Sequence, residues 1–215
     1  MKIKYLGHSA FVATANSGVK IVTDPYQTSP SLTYGEITES ADIVTVSHQH
    51  FDHSNADAVG GNPQVVSRAG RSVVKGIEIM GIASAHDDSG GRRRGGNIIF
   101  RFEVDGVAVC HLGDLGHRLD DKQLEEIGRV DVLFIPVGGT FTIDAKMATD
   151  VCNQLKPRVV IPMHYRTEKG LPDISGVEGF VSGKDNVSLP DTSQAEFRPG
   201  ELPATTQIIV LKPAL

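Results

Sequence analysis

The order of elements along the chain predicts an α/β (α+β) protein with helical and strand layers built around two sheets. Three observations support that class. The N-terminal third reads as short strands alone, the second half alternates strands with helical periodicity, and 215 residues at 40% hydrophobic content suffice for one compact domain, residues 1–215, with a substantial core.

The strands open with KIKYLG and AFVATA, and an Asn-Ser-Gly turn at Asn16 to Gly18 then leads into VKIVTD, which predicts a hairpin or meander. TSPSLTYGE reads as a loop, and DIVTVS, Asp42 to Ser47, as an apolar strand that runs straight into a histidine cluster. QVVS, IEIMGIAS and NIIFRFEV follow as strands, the last joined to VAVCHLG by the tight-turn dipeptide Asp105-Gly106. Asp120 with Gln123 has capping-box spacing, Leu124 and Ile127 share a face, and Gly128 suits the helix end. DVLFIP is a strand, DAKMATDVCNQL an amphipathic helix with Met147, Val151 and Leu155 four apart, and VVIPMHY a strand again. Gly170 to Pro203 reads as mostly irregular before a last strand, TQIIVLK.

No run approaches the ~18 consecutive apolar residues of a membrane span, and MKIKYLGHSAF turns polar before a signal-peptide core could develop, so a cytoplasmic protein without a membrane partner is expected. Cys110 and Cys152 are too few for a disulfide framework and lack the spacing of a thiolate zinc site; both are expected to be reduced, buried and inert. A net charge of −5 argues against nucleic acid as a partner and leaves a small-molecule substrate as the expectation. Oligomeric state is not readable.

Two stretches carry the chemistry: SHQHFDH at Ser47 to His53 and HLGDLGH at His111 to His117. His48 and His50 are two apart, so an extended backbone points both imidazoles to one side, and Asp52 and His53 follow where the chain turns. That spacing can divide four ligands between two neighbouring metals. Downstream, His86, Asp114 and His164 each end an apolar strand and complete a two-metal cup.

The order H-x-H-x-D-H, then separate His, Asp and His elements, resembles the metallo-β-lactamase superfamily over essentially the whole chain. GHSAF, TDP, HLGDLGH, IPVGG and IPMHY resemble its small branch related to ascorbate-6-phosphate lactonase. The resemblance implies a four-layer αββα sandwich of two mixed β-sheets flanked by helices. It also implies that His48, His50 and His86 hold one metal, that Asp52, His53 and His164 hold the other, and that Asp114 bridges them, with His111 the alternative to His86. Zinc is the first expectation and manganese the second. Two divalent ions bring about +4, Asp52 and Asp114 about −2 and a bridging hydroxide about −1, leaving about +1 to attract anions. The expected activity is hydrolysis of a small anionic ester, lactone or phosphoester by a hydroxide that the two metals activate, with Asp52 orienting it. The alternatives are a metal-binding scaffold without turnover and a phosphodiesterase or nuclease of the same fold.

Around the cup, Asp24 is expected to orient a ligand from behind, a support role that the resemblance implies. His117 is a candidate general acid and His8 a candidate substrate contact, because an imidazole titrates near ~6.5. In GGRRRGG, Arg93 stands for the arginines that could grip a substrate phosphate or carboxylate, and Phe141 of GGTFT could supply an apolar wall.

Overall fold

A computed structural model describes the chain from Met1 to Leu215. Strands β1 (Lys2–Gly7), β2 (Ala10–Thr14), β3 (Lys20–Thr23), β4 (Ile43–Thr45) and β5 (Gln64–Val66) lead into β6 (Gly70–Val74), β7 (Ile77–Ala85), β8 (Gly96–Val104) and β9 (Val107–His111). Helix α1 (Asp121–Ile127), β10 (Val132–Pro136), α2 (Ala145–Leu155) and β11 (Val159–Met163) alternate next. The tail carries α3 (Glu178–Val181), β12 (Val187–Ser188), β13 (Gln194–Glu196) and β14 (Gln207–Ile209). Two mixed sheets result, a six-stranded one in the order β13-β1-β2-β3-β4-β5 and an eight-stranded one in the order β12-β14-β11-β10-β9-β8-β7-β6.

Alternation along the strands explains why the sheets stack. Ile3, Phe11, Ile21 and Ile43 of the first sheet meet Phe100, Val109, Phe134 and Ile161 of the second in one buried cluster, with Phe11 and Phe134 stacked at 4.0 Å. The opposite faces are covered differently. Leu133, Ile135 and Val160 pack under Ile127 of α1, Ala148 and Val151 of α2 and Phe180 of α3. On the first sheet, Val12, Val22 and Val44 lie under Tyr26, Leu32, Tyr34 and Ile37 of a wrapped loop, with Ala56 and Ala58 of a single 3-10 turn packed beside them, so the helical cover is thinner on this face than on the other.

Local signals act as the sequence predicts. Asp105 (φ 51°) and Gly106 (φ 78°) make the β8–β9 hairpin. Asp120 forms a reciprocal capping box with Gln123, Gly128 caps α1, and Asp144 accepts from the Met147 N–H to start α2. Strand β6 is absent from the sequence reading; its turn, Lys75 (φ 51°) and Gly76 (φ 78°), lacks the Asn or Asp that marks such turns. The tail expected to be irregular holds β12, β13 and α3, each four residues or fewer. Both cysteines are free, Cys110 buried and Cys152 half-buried, and burial pushes both thiols up to about 12. No helix is long and apolar enough to cross a membrane.

Strand direction sets where chemistry can gather. β1 runs parallel to β3 and β4, because two antiparallel steps separate it from β3; by the same logic β7 runs with β9 and β11. The C-terminal ends of β1, β3 and β4 therefore share one end of the first sheet, and those of β7, β9 and β11 share one end of the second. Crevices at carboxyl strand ends are where sheet proteins place ligands.

Candidate metal centre

Each of those six strand ends delivers a buried polar side chain: His8 after β1, Asp24 after β3, His48 to His53 after β4, His86 after β7, Asp114 after β9 and His164 after β11. Asp114 occupies the middle. Its Oδ1 lies 3.2 Å from His53 Nε2, and its Oδ2 lies 3.1 Å from His86 Nε2, 3.3 Å from His164 Nε2 and 3.8 Å from His48 Nε2. The turn that puts it there requires glycine: Gly113 has φ 55°, and a Cβ on it would collide with Asn97 Oδ1 and the Ser47 side chain. Asn97 completes the turn, accepting from the Asp114 N–H at 2.9 Å and donating to the Leu112 carbonyl.

Ligating atoms fall into three sets within 4.8 Å: His48, His50 and His86; Asp52, His53 and His164 together with His8; and Asp24 with His48 and His53, which shares both histidines with the other two. A test of fit comes from unpaired atoms. His53 Nε2, Asp114 Oδ1 and His164 Nε2 are buried without a hydrogen-bond partner. Such atoms each cost roughly 1–3 kcal/mol and are uncommon, whereas a cation between them would satisfy their lone pairs. The donor set, imidazole nitrogens with two carboxylates, suits zinc or manganese.

Electrostatics follow from burial and crowding. Burial holds His48 down to about 3, with His53 adding repulsion, and it also lowers His50. Burial disfavours the Asp114 and Asp52 carboxylates as well, but surrounding imidazoles outweigh it and both lie below the usual carboxylate range. For His53 burial opposes the imidazolium, yet Asp114, Asp24 and Asp52 together raise it well above its ordinary value.

Asp24 lies behind the cluster, accepting from the Ser47 N–H at 2.8 Å, the Ser47 hydroxyl at 2.5 Å and His53 Nδ1 at 2.9 Å. It thereby fixes the proton of His53 on Nδ1 and leaves Nε2 facing Asp114. His111, the alternative to His86, is excluded by its own bonds: Nε2 donates to the Ser9 carbonyl and Nδ1 accepts from the Gly113 N–H, with the ring edge-on to Phe11 and Phe134.

A cavity of about 570 Å³ opens above the cluster, with His50, Asp52, His86, Asp114 and His164 on its floor and Phe51, Arg94, Phe141, Leu171 and Asp173 among its walls. Three sequence expectations change here. His117 does not line it; Nε2 accepts from the Ala85 N–H and Nδ1 donates to the Arg118 carbonyl, so no ring nitrogen remains for a leaving group. His8 is wholly buried and cannot meet substrate; its Nε2 donates to Asp52 Oδ2 at 3.1 Å and its ring lies 4.2 Å from His164. Arg93 pairs with Asp88 at 3.4 Å outside the cavity, and Arg94 is the arginine on its wall. Phe141 lines the cavity. Sequence reading missed Asn97 and Ser47 as supports; a lone buried amide or hydroxyl carries no spacing signal, whereas His8 did carry one, ending an apolar strand like His86 and His164.

Comparison with known proteins gives the family. The family described as a β-lactamase superfamily domain matches residues 2–164. A UPF0173 metal-dependent hydrolase of Carboxydothermus hydrogenoformans is 32% identical over 199 residues, spanning 78% of this chain and 85% of that protein. Among solved structures, a candidate Zn-dependent hydrolase of the metallo-β-lactamase superfamily from Thermotoga maritima superposes with TM-score 0.80 at 38% identity, covering 98% of this chain and 97% of its own. A metallo-hydrolase from Ignicoccus hospitalis follows at TM-score 0.59 and 26% identity, covering 77% of this chain and 82% of its own. With strand ends, ligand order and relatives in accord, the chain belongs to the metallo-β-lactamase superfamily and, within it, to the metal-dependent hydrolases.

Proposed function

We propose that the protein holds two divalent ions, zinc before manganese, and hydrolyses a small anionic ester, lactone or phosphoester. The observation that carries this reading is the pair of ligand sets meeting at Asp114, whose Oδ1 faces His53 and whose Oδ2 faces His86, His164 and His48. His48, His50 and His86 would hold one ion, Asp52, His53 and His164 the other, and Asp114 both. When bound, the ions supply Lewis acidity and bring the ionisation of water from ~15.7 toward ~7.

The chain's own residues do the rest. His8, donating to Asp52 Oδ2, holds that carboxylate in one orientation at the cavity floor, where its other oxygen can accept a hydrogen bond from the attacking water. The water oxygen bonds to the acyl carbon or phosphorus, the bond to the alcohol oxygen breaks, and that oxygen takes up a proton from solvent. Solvent is assigned this proton because no tyrosine or lysine lines the cavity and both nitrogens of His117 are engaged. Phe51, Phe141 and Leu171 shield the floor on the solvent side.

The test is elemental analysis of protein purified without chelator, with turnover on lactone and phosphodiester panels before and after metal removal. Two ions per chain with chelator-sensitive turnover are expected, and both should fall in Asp114→Ala and His53→Ala. Unchanged metal content in those variants, with the fold retained by circular dichroism, would overturn the assignment.

A further inference from the structure

The wall of the cavity is less uniform than its floor. Arg94 is the sole lysine or arginine among the lining residues, and its guanidinium has no carboxylate partner. Its neighbours are occupied: Arg92 donates through Nε to the Ser89 carbonyl and Arg93 pairs with Asp88. Arg94 instead lies over the Phe141 ring, its guanidinium carbon 5.3 Å from the centroid, a cation–π contact that leaves its N–H groups free.

The loop beneath it is built to stay in place. The Asp87 carboxylate accepts from Ser89 N–H at 2.8 Å, Ser89 Oγ at 2.7 Å, Gly91 N–H at 3.0 Å and the Arg93 and Arg94 N–H groups at 2.8 Å each. The Gly95 carbonyl accepts from His86 N–H at 3.1 Å, closing the loop onto the residue that faces Asp114. A fork with free donors, carried on a hydrogen-bonded backbone and lying over an aromatic ring, suits a two-oxygen anion. Phe51, 46% exposed, and Leu171 are the other apolar residues lining the cavity. Asp173, a rim carboxylate without an ion-pair partner, disfavours a second anionic group.

We propose that Arg94 is the anion anchor of this cavity and that the substrate is a small amphipathic molecule with a single anionic head group. Its carboxylate or phosphate group takes the Arg94 fork, and its apolar body lies against Phe51, Phe141 and Leu171. The scissile bond then reaches the Asp52 and Asp114 floor. This substrate class rests on the hydrolase reading above, but the anchor can be tested without turnover.

The probes are 4-phenylbutyrate and benzylphosphonate, with neutral 4-phenylbutyramide as control, titrated by calorimetry into zinc-loaded full-length protein and into chelated protein. Both anions are expected to bind and the amide to bind more weakly. Arg94→Gln should weaken both anions about ten- to hundredfold and leave the amide unchanged, as loss of a charge-assisted bond implies. Arg94→Lys should recover only part, lacking the fork. Phenylsuccinate, with its second carboxylate, should bind less tightly than 4-phenylbutyrate. Anion affinity that is equal in wild type and Arg94→Gln would overturn the anchor, as would absence of anion binding up to millimolar concentration. Metal content after zinc loading separates the two ideas: Arg94-dependent binding in protein that takes up no zinc when loaded overturns the metal reading alone, and zinc uptake with Arg94-independent binding overturns this one alone.

Discussion

Asp24→Asn tests the support of the metal centre with almost no change of shape. Both the Ser47 hydroxyl and His53 Nδ1 meet Asp24 Oδ2, while the Ser47 N–H meets Oδ1. If the asparagine oxygen keeps the backbone bond, its NH2 group faces His53, and Nδ1 must turn from donor to acceptor. The imidazole proton then moves to Nε2, the nitrogen 3.2 Å from Asp114 and needed for an ion. Loss of such a ligand-orienting partner costs about 10–100-fold in metal affinity, roughly 1.4–2.7 kcal/mol. Replacing the buried anion also removes charge-assisted bonds, each contributing about 1.5–3 kcal/mol to stability. Competition against a chromophoric chelator measures the first and urea unfolding the second. Ser47→Ala, which deletes one hydroxyl bond and leaves the His53 tautomer alone, should show a smaller loss of affinity. An Asn variant that keeps wild-type metal affinity with an intact fold would refute the tautomer reasoning.

Two further outcomes follow from the same geometry. In Gly116→Ala the new Cβ would lie 2.5 Å from Asp87 Cα, against backbone that His86 shares, so a loss of about 1–3 kcal/mol in urea unfolding is expected together with weaker metal binding; an unchanged midpoint would show that the loop can yield. For chelated protein, burial and the neighbouring His164 lower His8 from 6.5 to about 4, so between those values the unfolded chain binds more protons than the folded one. His8 should therefore contribute a fall in stability of about 3 kcal/mol as pH drops from 6.5 to 4, to which the lowered His48 adds in the same direction; the fall should be smaller in His8→Gln, and a flat wild-type profile from pH 7 to 4.5 would contradict the buried neutral state.

How much of this was legible depends on whether a residue's role is local. His48, His50, Asp52 and His53 lie within six positions, and His86, Asp114 and His164 each end an apolar run, so strand direction alone gathers them. Asp120, Gly128 and the Asp105-Gly106 turn are equally local and appear where their spacing puts them. His8 shows the limit: its motif places it at a strand end, but only the pairing of β1 with β2 and β2 with β3 brings that end beside Asp52. Arg93 and Arg94 differ by one position, and which of them meets the cavity is settled by five hydrogen bonds to Asp87 that no periodicity encodes. The outer cover of the first sheet was hidden for a related reason, since Tyr26, Leu32, Tyr34 and Ile37 have neither helical nor strand spacing.

The centre also concentrates backbone strain. His8 (φ 54°), Asp24 (φ 39°) and His164 (φ 50°) are buried non-glycine residues in the left-handed region, each directly after a strand. That region costs an L-residue roughly 1–2 kcal/mol and persists only where surroundings over-determine it. Here they do: the His8 carbonyl accepts from the His164 N–H at 2.9 Å and the Tyr5 hydroxyl at 3.0 Å, and the Asp24 N–H donates to the Thr45 carbonyl at 2.8 Å. The His8–His164 bond ties the two sheets together at the site, so the strained turns of β1 and β11 hold each other. Their reversal leaves one imidazole against Asp52 and the other against Asp114. A relaxed extended residue would carry the chain on past the crevice. The strain and the unpaired atoms of His53, Asp114 and His164 are two costs borne by the same few residues, and an ion bound there would offset the second while leaving the first in place.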